Sequence, residues 1–233
     1  MRPAARRRRA AFTTALLAAA FSLLALHSPA TAIAETCAAP PDANPSLAMA
    51  DARQRLEWID AHLSTTAHRA RVWTWSWSAG LVVATAANLA PLAFVARDQR
   101  IDWYVGAGTT VIGIVPLLIA PLDVVADARQ LHASIAQPSP PHETTCALLA
   151  DAEARLDRDA ANQLDGRRWW LHVGNVLVNS GVGLFLGLGF HHWGAGALNA
   201  VSGSLIGEAI ILTQPTGSID DRAAYRAGKI FVF

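Results

Sequence analysis

Glu208 is the one charged residue in an apolar run spanning residues 194–213, and a carboxylate in such a setting is costly unless it is paired, hydrated or used. His172 is the natural partner, because it stands three residues into another apolar run, 169–190. If the two runs cross a membrane in opposite directions, the two side chains reach similar depth. An imidazole–carboxylate pair there can pass a proton or hold a cation. Asn175 and Asn179 follow His172 at spacings of three and four, which keeps them on one helix face, and Ser180, Asn199, Ser202 and Ser204 extend a polar track. A plainer role stays open: Glu208 reaching the headgroup region, with the amides bonding between helices.

The remaining reactive types are few. Cys37 and Cys146 are the only cysteines, too few for a zinc site but suited to one disulfide in an oxidising compartment. Closing a loop of about 109 residues would constrain the unfolded chain by roughly 4–5 kcal/mol. Two unpaired thiols are the alternative, since spacing alone does not bring two Cα atoms together. His191 and His192 are adjacent in a short connector without carboxylate or thiol support and read as an exposed turn. The sequence holds no G-x-S-x-G elbow, P-loop or H-E-x-x-H pair, so neither an enzyme nor a cofactor is expected.

The elements that must position Glu208 and His172 follow from composition. Of the 233 residues, 52% are hydrophobic and 16% charged, with a mean hydropathy of +0.27, whereas soluble domains carry roughly 25% charged residues. A membrane protein is the class that remains, with the lipid bilayer as its principal partner. Five of the 19 Lys and Arg residues (Arg2, Arg6, Arg7, Arg8 and Arg9) stand in the first nine positions, leaving 14 basic against 18 acidic groups in residues 35–233. That balance offers nucleic acid no basic face.

The leading arginines, an apolar run at 10–26 and the triplet Ala32-Ile33-Ala34 have the order of a signal peptide over residues 1–34, with Glu35 as the mature start. An uncleaved anchor is the rival. Either way, residues 35–71 are expected in the periplasm of a bacterial cell, with the apolar segments in the inner membrane.

Residues 49–56 and 149–156 match at an offset of 100, sharing Ala, Asp, Ala, Arg and Leu, and each then leads through arginines into a Trp-rich apolar run. Trp103, Gly106 and Gly113 find counterparts at Trp193, Gly196 and Gly203. Pro121 and Asp127 answer to Pro215 and Asp221. Several features in one order point to duplication. Each unit reads as an amphipathic helix followed by a hydrophobic hairpin. In the first, Asn44 and Pro45 open a helix whose stripe runs Met49, Ala52, Leu56, Ile59, Leu63, Thr66 and Ala70. In the second, the stripe is Leu149, Ala152, Leu156, Ala160 and Leu164.

Four apolar runs, at 72–96, 103–122, 169–190 and 194–213, are long enough to cross about 30 Å of hydrocarbon as helices. Eight of the ten Trp and Tyr residues stand near their ends, where amphipathic rings prefer the interface. Gly183 with Gly187 and Gly203 with Gly207 are small residues four apart, suited to close helix packing in a tight bundle. The expected fold is therefore all-α: two duplicated units, each an amphipathic helix plus a transmembrane hairpin. Its divisions are a signal peptide (1–34), a periplasmic segment (35–71), a first hairpin (72–122), a helical connector (123–168), a second hairpin (169–213) and a tail (214–233).

One feature strains this topology: Arg97 and Arg100 lie in a cytoplasmic turn, but Arg69, Arg71, Arg167 and Arg168 abut the periplasmic ends, against the positive-inside rule. An outer-membrane β-barrel would remove the conflict. Residues 73–78 alternate Trp with Thr or Ser, and the ending Arg226-Ala227-Gly228-Lys229-Ile230-Phe231-Val232-Phe233 resembles the C-terminal signal of outer-membrane barrels. Three functions are thus expected in order: a structural or interaction protein of the inner membrane, self-associating or holding a membrane partner; a small transporter or channel using Glu208 and His172; and a barrel marked by Phe233.

Overall fold

Two capping residues decide where the first long helix begins. In the computed structural model, which describes residues 35–119, 121–137 and 144–230, the Asn44 side chain accepts from the Ser46 amide at 3.0 Å and Pro45 opens a 3-10 turn, Pro45–Met49. The chain then extends at Ala50. Asp51 caps again, accepting from the amides of Arg53 and Gln54 at 2.9 and 3.1 Å, and starts α1, Ala52–Leu89. The stripe therefore begins at Ala52 rather than at Met49, whose side chain is 80% exposed on the short turn. From there Leu56, Ile59, Leu63, Thr66 and Ala70 are buried at the expected spacing.

With 38 residues, α1 is about 57 Å long. It carries both the amphipathic stripe and the first apolar run in one continuous helix, with no break at residues 71 and 72. A 3-10 turn, Ala90–Ala93, leads to α2, Arg100–Ile119, and then to α3, Val124–Ala136. Thr144 caps α4, Thr145–Asp165, through the Ala147 amide at 3.2 Å. Here Gly166, Arg167 and Arg168 do interrupt the helix before α5, Trp169–Phe190. The last helices are α6, Trp193–Leu212, and α7, Gly217–Arg226. The connector thus holds two helices, α3 and the separately capped α4, and the tail holds a third.

The barrel expectation is overturned. No β-strand exists among the described residues, and residues 73–78 lie inside α1. Phe233 lies outside the described residues.

Four helical segments, the second half of α1 with α2, α5 and α6, are long and apolar enough to cross a membrane. They form two antiparallel hairpins, which meet where α2 touches α6. Within the second hairpin a Cβ added to Gly183 would collide with the Gly196 carbonyl, so these two glycines let the α5 and α6 backbones touch. Gly187 faces the Trp193 ring, Gly203 faces Asn179 and Gly207 faces Asn175. At one end of the hairpins the Trp73 and Trp77 indoles both donate to the Thr213 hydroxyl, at 3.1 and 3.0 Å.

At that end the first half of α1 packs with α3, α4 and α7 around Leu47, Leu131, Leu149, Leu156, Tyr225 and Ile230. Cys37 and Cys146 are a disulfide pair, with Cα atoms 5.5 Å apart, that fastens the N-terminal segment to α4. Arg55 is fully buried beside them. Its guanidinium donates to the Tyr225 hydroxyl at 2.9 Å, to the carbonyls of Cys37, Leu47 and Ala38 at 2.9, 3.2 and 3.2 Å, and to Glu153 at 2.5 Å. All five of its N–H donors are used, as a buried guanidinium requires. Tyr225 in turn donates to Glu153, and Arg226 pairs with Asp42 and Asp157.

Asp159 is the exception in this core. It is 1% exposed and neither carboxylate oxygen meets a hydrogen-bond donor. Burial first, then the neighbouring Asp127 carboxylate, pushes its pKa up to about 8, while Arg158 pulls against the rise. Asp127 itself is held by Arg155 and Arg158, each at 2.9 Å. The folded state therefore prefers the neutral acid. With its folded pKa above the unfolded value, Asp159 stabilises the fold fully below about pH 4, and that contribution is lost as the pH rises through about 8. Asp159→Asn should remove this loss and raise stability at pH 9 by on the order of 2 kcal/mol. Urea unfolding followed by circular dichroism at pH 6 and pH 9 checks it; a variant that keeps the wild-type pH dependence would mean that Asp159 folds ionised.

Candidate functional site

The residues singled out inside the apolar runs come together. Helix periodicity puts His172, Asn175 and Asn179 on the face of α5 turned towards α6, and Ser204 and Glu208 stand four apart opposite them. His172 Nδ1 donates to Glu208 Oε2 at 2.5 Å, and Asn175 Nδ2 donates to Glu208 Oε1 at 2.9 Å and to the Ser204 carbonyl at 2.9 Å. Asn179 Nδ2 then donates to Asn175 Oδ1 at 2.9 Å. Both carboxylate oxygens of Glu208 are thus occupied. The His172 and Glu208 side chains retain 30% and 26% exposure, so the pair is neither sealed nor free.

This chain of polar groups opens onto a cavity of about 290 Å³ to which all four apolar helices contribute. Asn175 and Asn179 line one wall, Leu81 of α1 and Gly113 of α2 another. A second cavity of about 590 Å³ continues from it towards the hairpin turns, and the two share Thr109, Thr110, Gly203 and Ile206. Asn88, Asn199 and Ser202 line the larger one, and the Thr85 and Thr110 hydroxyls bond at 2.7 Å beside it. Amides and hydroxyls in an otherwise apolar pocket are the feature by which binding sites are recognised.

The first hairpin therefore contributes more than expected. Its sequence has no counterpart of Glu208, yet Asn88, Thr109 and Thr110 line the larger cavity together with Asn199 and Ser202.

At the far end of the larger cavity stands a pair that sequence reasoning missed. His192 Nδ1 donates to Asp102 Oδ1 at 2.7 Å, and the two side chains are 25% and 20% exposed. Asp102 belongs to the first turn of α2 and His192 to the turn between α5 and α6. His191 makes this possible: it is the one non-glycine residue with positive φ (62°) among those described, and it closes α5 with the His192 amide donating to the Leu186 carbonyl at 3.1 Å. His192 is consequently a cavity residue. The available signal was the placement of Asp102 and His192 at the same end of two neighbouring hairpins.

Glu35 lies close to Cys37 and Cys146, a grouping with the residue types of a metal site. The two sulfurs are bonded to each other, which leaves the Glu35 carboxylate without thiolate support. No protein-family model, curated protein or solved structure matches the chain.

Proposed function

We propose that this is a small, non-enzymatic integral protein of a bacterial inner membrane that moves a proton or a small proton-carrying solute across the bilayer through the crevice between its hairpins. The carrying observation is Glu208: a carboxylate inside an apolar helix, held by His172 and by Asn175, which lines a largely apolar cavity to which all four apolar helices contribute. Reconstitution tests it. Liposomes containing the full chain and an internal pH indicator should dissipate an imposed pH gradient well above the rate of empty liposomes, and equal rates would remove the proposal.

Duplication is supported by two placements. Each half carries an amphipathic helical stretch, a hairpin and a following helix, the first two continuous in α1 and separate in α4 and α5; and Ala52 and Leu56 are buried like Ala152 and Leu156. Export of residues 35–71 is supported by the disulfide distance of Cys37 and Cys146, because such bonds persist in oxidising compartments. The arginines Arg69, Arg71, Arg167 and Arg168 then sit at the periplasmic surface, and the leading arginine run sets orientation.

A second function, as a self-associating or partner-holding scaffold, is favoured by one observation: α5 and α6 expose their apolar faces along their length, including Leu177 at 65% and Leu198 at 69%. Cross-linking in liposomes at rising protein-to-lipid ratio tests it, since a scaffold gives a fixed oligomer and a monomeric carrier gives none.

A further inference from the structure

We propose that Asp102 and His192 form a second proton-exchange site, at the opposite end of the crevice from Glu208, and that the species crossing is the proton. This rests on the transport function above and extends it. The two imidazole–carboxylate pairs, His172 with Glu208 and His192 with Asp102, are built from different turns of the molecule. The second joins both hairpins, with its partners 90 residues apart in sequence.

Between the two pairs the crevice wall carries hydroxyls and amides: Asn88, Thr110, Asn199 and Ser202 in the larger cavity, Asn175 and Asn179 in the smaller. Such groups pass a proton along hydrogen-bonded water but do not hold it at ordinary pH. Among the described residues no lysine or arginine lines either cavity, so none of them sets a fixed cation in the path of a proton. The charged groups facing His192 are Asp102 from α2 and Asp98 from the turn before it; α1 contributes Asn88 and α6 contributes Asn199 and Ser202. Arg97, in that turn, and Arg100, the first residue of α2, are outside the cavity wall.

The two cavities share Thr109, Thr110, Gly203 and Ile206 in their walls. In the step itself, the His192 and Asp102 pair takes one proton from the solution at the hairpin turns and gives one to crevice water. Glu208 and His172 accept one from that water and release one at the other face. Net, one proton crosses and one positive charge moves, balanced in a vesicle by potassium through valinomycin.

The test uses the full chain in potassium-loaded liposomes with valinomycin and an internal pH indicator, comparing wild type, Asp102→Asn, His192→Asn and Glu208→Gln. His192→Asn places an amide N–H where Nδ1 donates to Asp102 but cannot exchange a proton, so a merely structural clip survives it. The expectation is that Asp102→Asn and His192→Asn each slow the initial flux about tenfold or more, with unchanged helical circular dichroism and elution volume. If wild type conducts, Glu208→Gln blocks and both of these variants conduct within about twofold of wild type, the second site is overturned while the transport function stands. If wild type itself does not exceed empty liposomes, both fall.

Discussion

Liposomes holding Glu208→Gln should lose proton flux by about a hundredfold or more relative to wild type, while the variant keeps its helical spectrum and its size in detergent. Gln fills nearly the same volume and can still accept from Asn175, so the helix contacts around Ser204 and Asn179 survive. What disappears is the ability to bind and release a proton at the point where α5 and α6 place a carboxylate against His172. A structural Glu208 that merely steadies the hairpin gives the opposite pattern: flux unchanged and thermal stability altered. His172→Asn should reproduce the loss, because an amide N–H takes the place of Nδ1 against the carboxylate but the imidazole proton is gone.

The largest effect on stability belongs to the other end of the molecule. Arg55→Ala should destabilise the helical core by about 3–5 kcal/mol, measured by urea unfolding of the detergent-solubilised protein. Removal of the guanidinium leaves Glu153, only 13% exposed, with an uncompensated charge, and leaves the carbonyls of Cys37, Leu47 and Ala38 without their donor. The same change removes the bond from α1 to the Tyr225 hydroxyl of α7, leaving Thr66 to Asp221 as the side-chain hydrogen bond that joins the two helices among the described residues. Pairing Arg55→Met with Glu153→Gln should recover part of the loss by neutralising the orphaned carboxylate. A single variant within about 1 kcal/mol of wild type would mean that water replaces the guanidinium and that the network carries little.

What could be read from sequence was what repeats along a helix. The stripe from Ala52 to Ala70 recurs at three and four residues and is the buried face of α1; the same period placed His172, Asn175 and Asn179 on one face and Glu208 opposite them. What could not be read were pairs made across the fold. Arg55 meets Tyr225 across 170 residues and Asp102 meets His192 across 90, and nothing local in either segment records the encounter. Met49 was misplaced because Asp51 caps a second time and breaks the register. Helix α7 was hidden for another reason: its polar, short segment precedes an ending with strand-like alternation, and it is folded in by burial of Tyr225 and Ile230 rather than by its own propensity.

The central claim is that the apolar hairpins enclose a hydrated polar crevice, and cysteine reactivity in liposomes tests it most directly. Cys37 and Cys146 are paired with each other, so one introduced cysteine is the free thiol among the described residues. Ser202→Cys and Asn179→Cys, one in each cavity, should react with a small charged thiol reagent about tenfold or more faster than Leu205→Cys, whose side chain lies on the apolar outer surface. Equal, slow labelling at all three positions would show a dry interface and contradict the account.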